Sequence, residues 1–232
     1  MDPLFQIQIT CLCCGFEFST SRVRPSLKRA TRTDTDFCSY FGVANPDFYV
    51  VRVCPSCGYA STENSSDRLT DKQKQAYLDQ IGKMWSARDY GGERTLEEAL
   101  ACYKLALLSA QAVEENDRLI ASLLHHIAWL YRYQGNEGME LKFLQFALDS
   151  YIQAYQTERD ADKNARLLYL IGELHRRTGN YHEAVRWFTR VIHDKSITDA
   201  AMIRASREQW TQIREDLTAA GAELPEEMTN GA

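Results

Sequence analysis

Apolar and polar residues alternate through Ile7-Gln8-Ile9-Thr10 and again through Phe16-Glu17-Phe18, on either side of Cys11-Leu12-Cys13-Cys14-Gly15. A period of two predicts short strands that feed a tight turn. A third β-rich segment, Phe48-Tyr49-Val50-Val51-Arg52-Val53, runs into Cys54-Pro55-Ser56-Cys57-Gly58-Tyr59. Beyond residue 70 the apolar spacing turns helical, in segments rich in Ala, Leu, Glu and Arg. The pattern predicts a β-rich part over 1–60, a polar linker over 61–70, a helical domain over 71–220 and a flexible tail over 221–232. The last helix is expected from about Thr198 to Thr218.

The helical part repeats itself. A shift of 44 residues lays Gly135-Asn136 on Gly179-Asn180, Leu123 on Leu167, Ile127 on Ile171, Ala128 on Gly172 and Arg132 on Arg176. Past the turn, Phe143 falls on Trp187, Leu144 on Phe188 and Ala147 on Val191. Each unit therefore reads as helix, Gly-Asn turn, helix, with glycine at the left-handed position that ends a helix. The stretch Tyr169-Leu170-Ile171-Gly172-Glu173-Leu174, followed by Gly179-Asn180-Tyr181-His182-Glu183-Ala184, resembles the tetratricopeptide repeat. Thr95-Leu96-Glu97-Glu98 has the form of a capping box and opens what looks like a helix of an earlier unit.

Cysteine spacing adds chemistry. Overlaying the two cysteine turns matches Cys11 with Cys54, Cys14 with Cys57 and Gly15 with Gly58, while Cys13 falls on Ser56. Two intervening residues let both sulfurs face one tetrahedral site, and the following glycine tolerates a positive φ. The expected ligand set is Cys11, Cys14, Cys54 and Cys57, with Cys13 outside it. No histidine precedes His125, so a local site is all-cysteine, and four thiolates favour one structural Zn²⁺ per chain. Cys38 and Cys102 read as small core residues. A redox dithiol is the competing reading of Cys-Pro-Ser-Cys, but it leaves the other turn unexplained.

The 232 residues carry a net charge of −5, which makes no general case for nucleic acid. Residues 20–33 are the local exception, with Arg22, Arg24, Lys28, Arg29 and Arg32 and no acid. They form part of a basic insert over 20–47, with Tyr40, Phe41, Phe48 and Tyr49 available for base stacking. There is no apolar run of the ~20 residues that span a bilayer, and the first residues do not form a signal peptide. A reducing, cytoplasmic setting is expected.

Several blocks together resemble one bacterial family, domain of unknown function 2225. They are Cys11-x-x-Cys14-Gly15, Asp34-x-Asp36-Phe37-Cys38, Asn45-Pro46-x-Phe48-Tyr49, Cys54-Pro55-x-Cys57-Gly58-Tyr59-Ala60, Arg88 to Ala99 and Ala128-Trp129-Leu130-Tyr131-Arg132. The resemblance implies a bacterial, cytoplasmic protein that joins a zinc ribbon to tetratricopeptide-like repeats, and it brings no activity with it.

The fold class expected is thus mainly α: a tetratricopeptide-like array of helical hairpins with a small N-terminal zinc ribbon. No Walker A loop, dinucleotide fingerprint, nucleophile elbow or H-E-x-x-H is present, so a non-enzymatic scaffold is expected. Helical spacing gathers His125, Trp129, Arg132 and Tyr133 from one unit with Tyr169, Glu173 and Arg176 from the next. That set is expected to line a groove for an acidic protein segment, because guanidinium forks pair with carboxylates. Nucleic acid bound by the basic insert is the alternative partner, and a thiol-redox or other enzyme is the second alternative.

Overall fold

The computed structural model describes residues 2–229. Strands β1 (Leu4–Thr10) and β2 (Glu17–Val23) form an antiparallel hairpin that sets Ile9 opposite Phe18 and Thr10 opposite Glu17. Strands β3 (Ala30–Thr33) and β4 (Ser39–Phe41) make a second hairpin, and β5 (Arg52–Val53) and β6 (Ala60–Ser61) a third. The strand expected over Phe48–Val53 is shorter than its apolar run. Pro46 opens a 3-10 turn over Pro46–Tyr49, and the Asn45 side chain accepts from the Asp47 amide. An Asn-Pro start thus wins over β propensity until Arg52.

Helices α1 (Asp71–Gln80) and α2 (Leu96–Ala112) both open with capping boxes, Thr70 with Gln73 and Thr95 with Glu98. Then come α3 (Asp117–Tyr133), α4 (Glu137–Thr157), α5 (Ala165–Arg177), α6 (Tyr181–His193), α7 (Ala200–Ala219) and α8 (Glu226–Thr229). The array is mainly α with a β-rich N-terminal part, as the sequence predicts. Gly135 and Gly179 hold φ of 71° and 83°. Each is followed by an asparagine whose amide reaches back five residues, Asn136 to Tyr131 and Asn180 to His175, while its side chain caps the next helix. One dipeptide ends a helix and starts the next.

The chain divides into two compact units. The first comprises residues up to Asp34 together with Cys38–Phe143, the second Thr35–Phe37 together with Leu144 onward. In the first, Val51, Val53 and Ala60 share one core with Ala99, Tyr103 and Ala106 of α2 and Leu123, Ile127 and Leu130 of α3. A second core packs Cys11, Cys54, Cys57 and Tyr59 against Tyr77 of α1 and Ala112 and Val113 at the end of α2. The 61–70 stretch is held rather than loose: Ser66 donates through both its amide and its hydroxyl to Glu115, and Leu69 is buried.

In the second unit, Ala184, Val185 and Phe188 of α6 meet Tyr169 of α5 and Ile213 of α7. Gly172 permits that approach, since a Cβ there would lie 2.8 Å from the Phe188 ring. The expected tail contributes to this core as well. Met228 of α8 is buried against it and Glu227 pairs with Arg186, because one apolar side chain per turn suffices to dock a short helix. Residues 230–232 of that tail lie outside the described ones. No described helix is long and apolar enough to cross a membrane.

Candidate metal centre

Two turns of the same construction carry the four cysteines. In the first, the Cys11 amide donates to the Phe16 carbonyl and the Gly15 amide to the Cys11 carbonyl. In the second, Cys54 donates to Tyr59 and Gly58 to Cys54, at the same offsets and within 0.1 Å of the same lengths. Gly15 and Gly58 both hold φ of 76°. That left-handed residue reverses the chain just after the second sulfur, which is why glycine stands there.

The four Sγ atoms of Cys11, Cys14, Cys54 and Cys57 lie within 4.8 Å of one another. Cys11 and Cys57 are 3.6 Å apart, and Cys14 and Cys54 3.7 Å. A tetrahedral four-thiolate centre with metal–sulfur bonds of about 2.3 Å has sulfur–sulfur edges of about 3.8 Å. The cluster therefore fits a metal ion. Cys13 is not among the four.

Protons alone would divide unevenly over these sulfurs. The Cys57 thiol donates to Cys11 and holds it down at about 5, a thiolate at neutral pH. Receiving no such help, Cys54 is pushed up to about 11, chiefly by burial, and Cys57 is raised still further, first by that bond to Cys11. A cation is what allows four clustered thiolates, three of them buried, to coexist.

Support comes from residues without a cysteine motif. Tyr77 of α1 donates its hydroxyl to the Cys57 carbonyl at 3.0 Å, and Trp85 its indole N–H to the Pro55 carbonyl at 3.0 Å. The Trp85 ring lies flat enough on Gly58 that a Cβ there would come within 2.5 Å of it. Sequence reasoning missed both. The available signal was an aromatic residue, Tyr77, beside Leu78 in a mainly polar helical stretch, and a tryptophan outside any helical period.

Residues 4–213 match the family described as uncharacterized protein conserved in bacteria, DUF2225. The chain belongs to this family. Neither a curated protein nor a solved structure matches it significantly.

In this DUF2225 chain the seven residues expected to line a peptide groove are engaged by the chain itself. His125, Trp129, Tyr169 and Glu173 are buried, and the His125 ring packs tilted against Trp129 at 4.7 Å between centroids. Within the first unit, Arg132 bonds Asp34 at 2.9 Å and Glu140 at 2.7 Å, and Tyr133 donates to the Ser39 carbonyl at 2.8 Å. Within the second unit, the fully buried Glu173 accepts from Arg176 and Arg177 and from the Thr35 hydroxyl. Tyr169 donates to the Thr35 carbonyl, Arg177 pairs with Asp36 at 3.3 Å, and Phe37 sits between Tyr169 and Arg166. Within the first unit Asp34 supplies an acid to Arg132 in cis, and within the second Asp36 supplies one to Arg177 and Glu173 one to Arg176.

The basic insert is also partly spoken for. Arg22 pairs with Glu63, Arg32 lies over the Tyr40 ring at 3.9 Å, and Arg24 donates to the Asp2 carbonyl. Lys28 and Arg29 are exposed, whereas Tyr49 is buried and Phe48 packs on the core. In the 88–94 loop, Arg94 is buried and donates to the Tyr90, Phe48 and Val51 carbonyls and the Thr20 hydroxyl, pinning β2, the 3-10 turn and the start of α2 together.

Proposed function

We propose that the protein is a non-enzymatic scaffold whose first unit is organised by one structural zinc ion on Cys11, Cys14, Cys54 and Cys57. The observation that carries this reading is the sulfur geometry, with edges of 3.6 and 3.7 Å on two turns of one construction. All four corners are protein sulfurs, which leaves no place for a substrate or an activated water, and closed four-cysteine sites of this kind stabilise folds. Zinc suits them better than harder ions because thiolate is a soft ligand. Cytoplasmic residence is part of the proposal, since a reducing compartment keeps such thiols available.

The partner is proposed to be another protein that docks on the outer surface, the arginine and aromatic set being occupied in cis. The test is elemental analysis of protein purified without chelator. About one zinc per chain is expected, lost in Cys57→Ser and Cys14→Ser and kept in Cys13→Ser. Undiminished zinc in Cys57→Ser would refute the ligand set. Partner capture that survives nuclease treatment but fails after chelation is the corresponding result for the scaffold.

A further inference from the structure

The two cysteine turns share a backbone but not a covering. Over the second lies the Trp85 ring, so close to Gly58 that a Cβ there would come within 2.5 Å of it, and Tyr77 donates to the Cys57 carbonyl. The first turn is open: a Cβ on Gly15 would meet no atom within 4 Å, and Phe16 beside it is 47% exposed. The cysteines follow the same division. Cys54 and Cys57 are buried, and so is Cys11, whereas Cys14 is exposed. A reagent in solvent thus meets the four-sulfur centre at Cys14.

Sulfur pairing is the second observation. Cys14 lies 3.7 Å from Cys54 and Cys11 lies 3.6 Å from Cys57, and each of these pairs joins one turn to the other. A Cys-x-x-Cys dithiol of the redox type closes its disulfide within one turn. Here the sulfur in contact with the exposed one sits 40 positions away in sequence, on the covered turn. Cys13 is a fifth sulfur of this region, buried in the core with Cys57, Tyr59 and Tyr77.

We propose that Cys14 is a site of oxidation by small hydroperoxides and that Cys54 resolves it, so that a disulfide across the two turns replaces the metal ion. This rests on the zinc reading above and adds a regulation to the same site. The Cys14 thiolate attacks one oxygen of hydrogen peroxide: an S–O bond forms, the O–O bond breaks, and the departing hydroxide takes a proton from solvent to become water. Cys14 is then a sulfenic acid, its sulfur oxidised by two electrons and the peroxide reduced by two. The Cys54 thiolate attacks that sulfur, an S–S bond forms, the S–O bond breaks, and a second hydroxide leaves as water with another solvent proton. Two thiolates, one peroxide and two protons become one disulfide and two waters. Only Cys11 and Cys57 then remain as thiolates, two donors where a closed site needs four, and the ion is released. The chain stays tied at the same place, since the new bond spans the turns that the ion had joined. Reduction by a dithiol restores both thiolates and with them the site.

The test starts from full-length protein of measured zinc content, treats it with hydrogen peroxide, and determines by elemental analysis the zinc left after desalting. About one zinc should be lost per chain oxidised, and dithiothreitol with added zinc should return it. Dimedone, which captures sulfenic acids, should label Cys14 in preference to Cys11, Cys54 and Cys57. Peptide mapping after alkylation of the remaining thiols should find Cys14 joined to Cys54. Cys13→Ser, which removes the neighbouring thiol outside the set, should lose zinc to the same extent. Zinc retained under peroxide, capture at a cysteine other than Cys14, a disulfide within one turn or to Cys13, or protection by Cys13→Ser would each overturn the proposal and leave the zinc reading intact. Protein that holds no zinc before oxidation would overturn both.

Discussion

Gly15 and Gly58 share a φ of 76° but not a neighbourhood, and that difference separates backbone cost from packing cost. A Cβ on Gly15 meets nothing within 4 Å, while one on Gly58 runs into Trp85. Gly15→Ala should therefore cost about 1–2 kcal/mol, the left-handed penalty alone, and Gly58→Ala distinctly more, as a lower unfolding midpoint at equal zinc content would show. Charge is equally local at Glu173. Since Arg176 and Arg177 both serve that buried carboxylate, Arg176→Glu sets a second acid against it and should destabilise the second unit by about 3–5 kcal/mol in denaturant titration. The repeat in the sequence singles out Arg132 and Arg176 as equivalent positions, and in the structure each meets an acid of the chain itself, Arg132 with Asp34 and Glu140 and Arg176 with Glu173. That Arg132 meets Asp34 was not legible, because helical spacing orients a side chain without saying which distant segment meets it.

The Gly-Asn turns could be read directly, since glycine at a helix end has few other uses. The turn between α2 and α3 could not. It has the same backward bonds, Glu115 to Ala110 and Glu114 to Gln111, and the same asparagine cap at Asn116, but Glu114 takes the left-handed position at φ 55°. Glu114→Gly should accordingly raise stability, by up to about 1 kcal/mol, in thermal or denaturant unfolding. The β-rich segments and α1 were legible as elements, but their relation was not. Periodicity does not reveal that Tyr77 and Val113 pack on the cysteine turns, since both contacts are set by tertiary assembly. Removing the metal should therefore loosen more than the ribbon. Chelation is expected to lower hydrogen-exchange protection through α1 and the last turns of α2, while α5 and α6 keep theirs.

On the scale of the molecule, acid should act through His175. It is buried with Nδ1 unpartnered, and burial lowers its pKa against the opposing pull of Glu183 and Asp149. The unfolded chain then binds a proton more readily than the folded one, so stability is complete above about pH 6.5 and declines as pH falls below it. His175→Phe should flatten that part of the stability profile while leaving the acid loss of zinc in place. A fragment starting near Asp71 is expected to fold poorly, since it lacks Val51, Val53 and Ala60 from one core and Thr35–Phe37 from the second unit. The fold class was readable because helices are local; the shared cores were hidden because they join residues far apart in sequence. Thr35 and Glu173 are 138 positions apart. At about 5–20 residues per second, a ribosome releases Thr35, Asp36 and Phe37 roughly 7–30 s before the helix that receives them. The second unit thus finishes with a piece of chain synthesised near the start, and any nascent protein whose translation stalls before α5 leaves that acidic segment waiting for a site that does not yet exist.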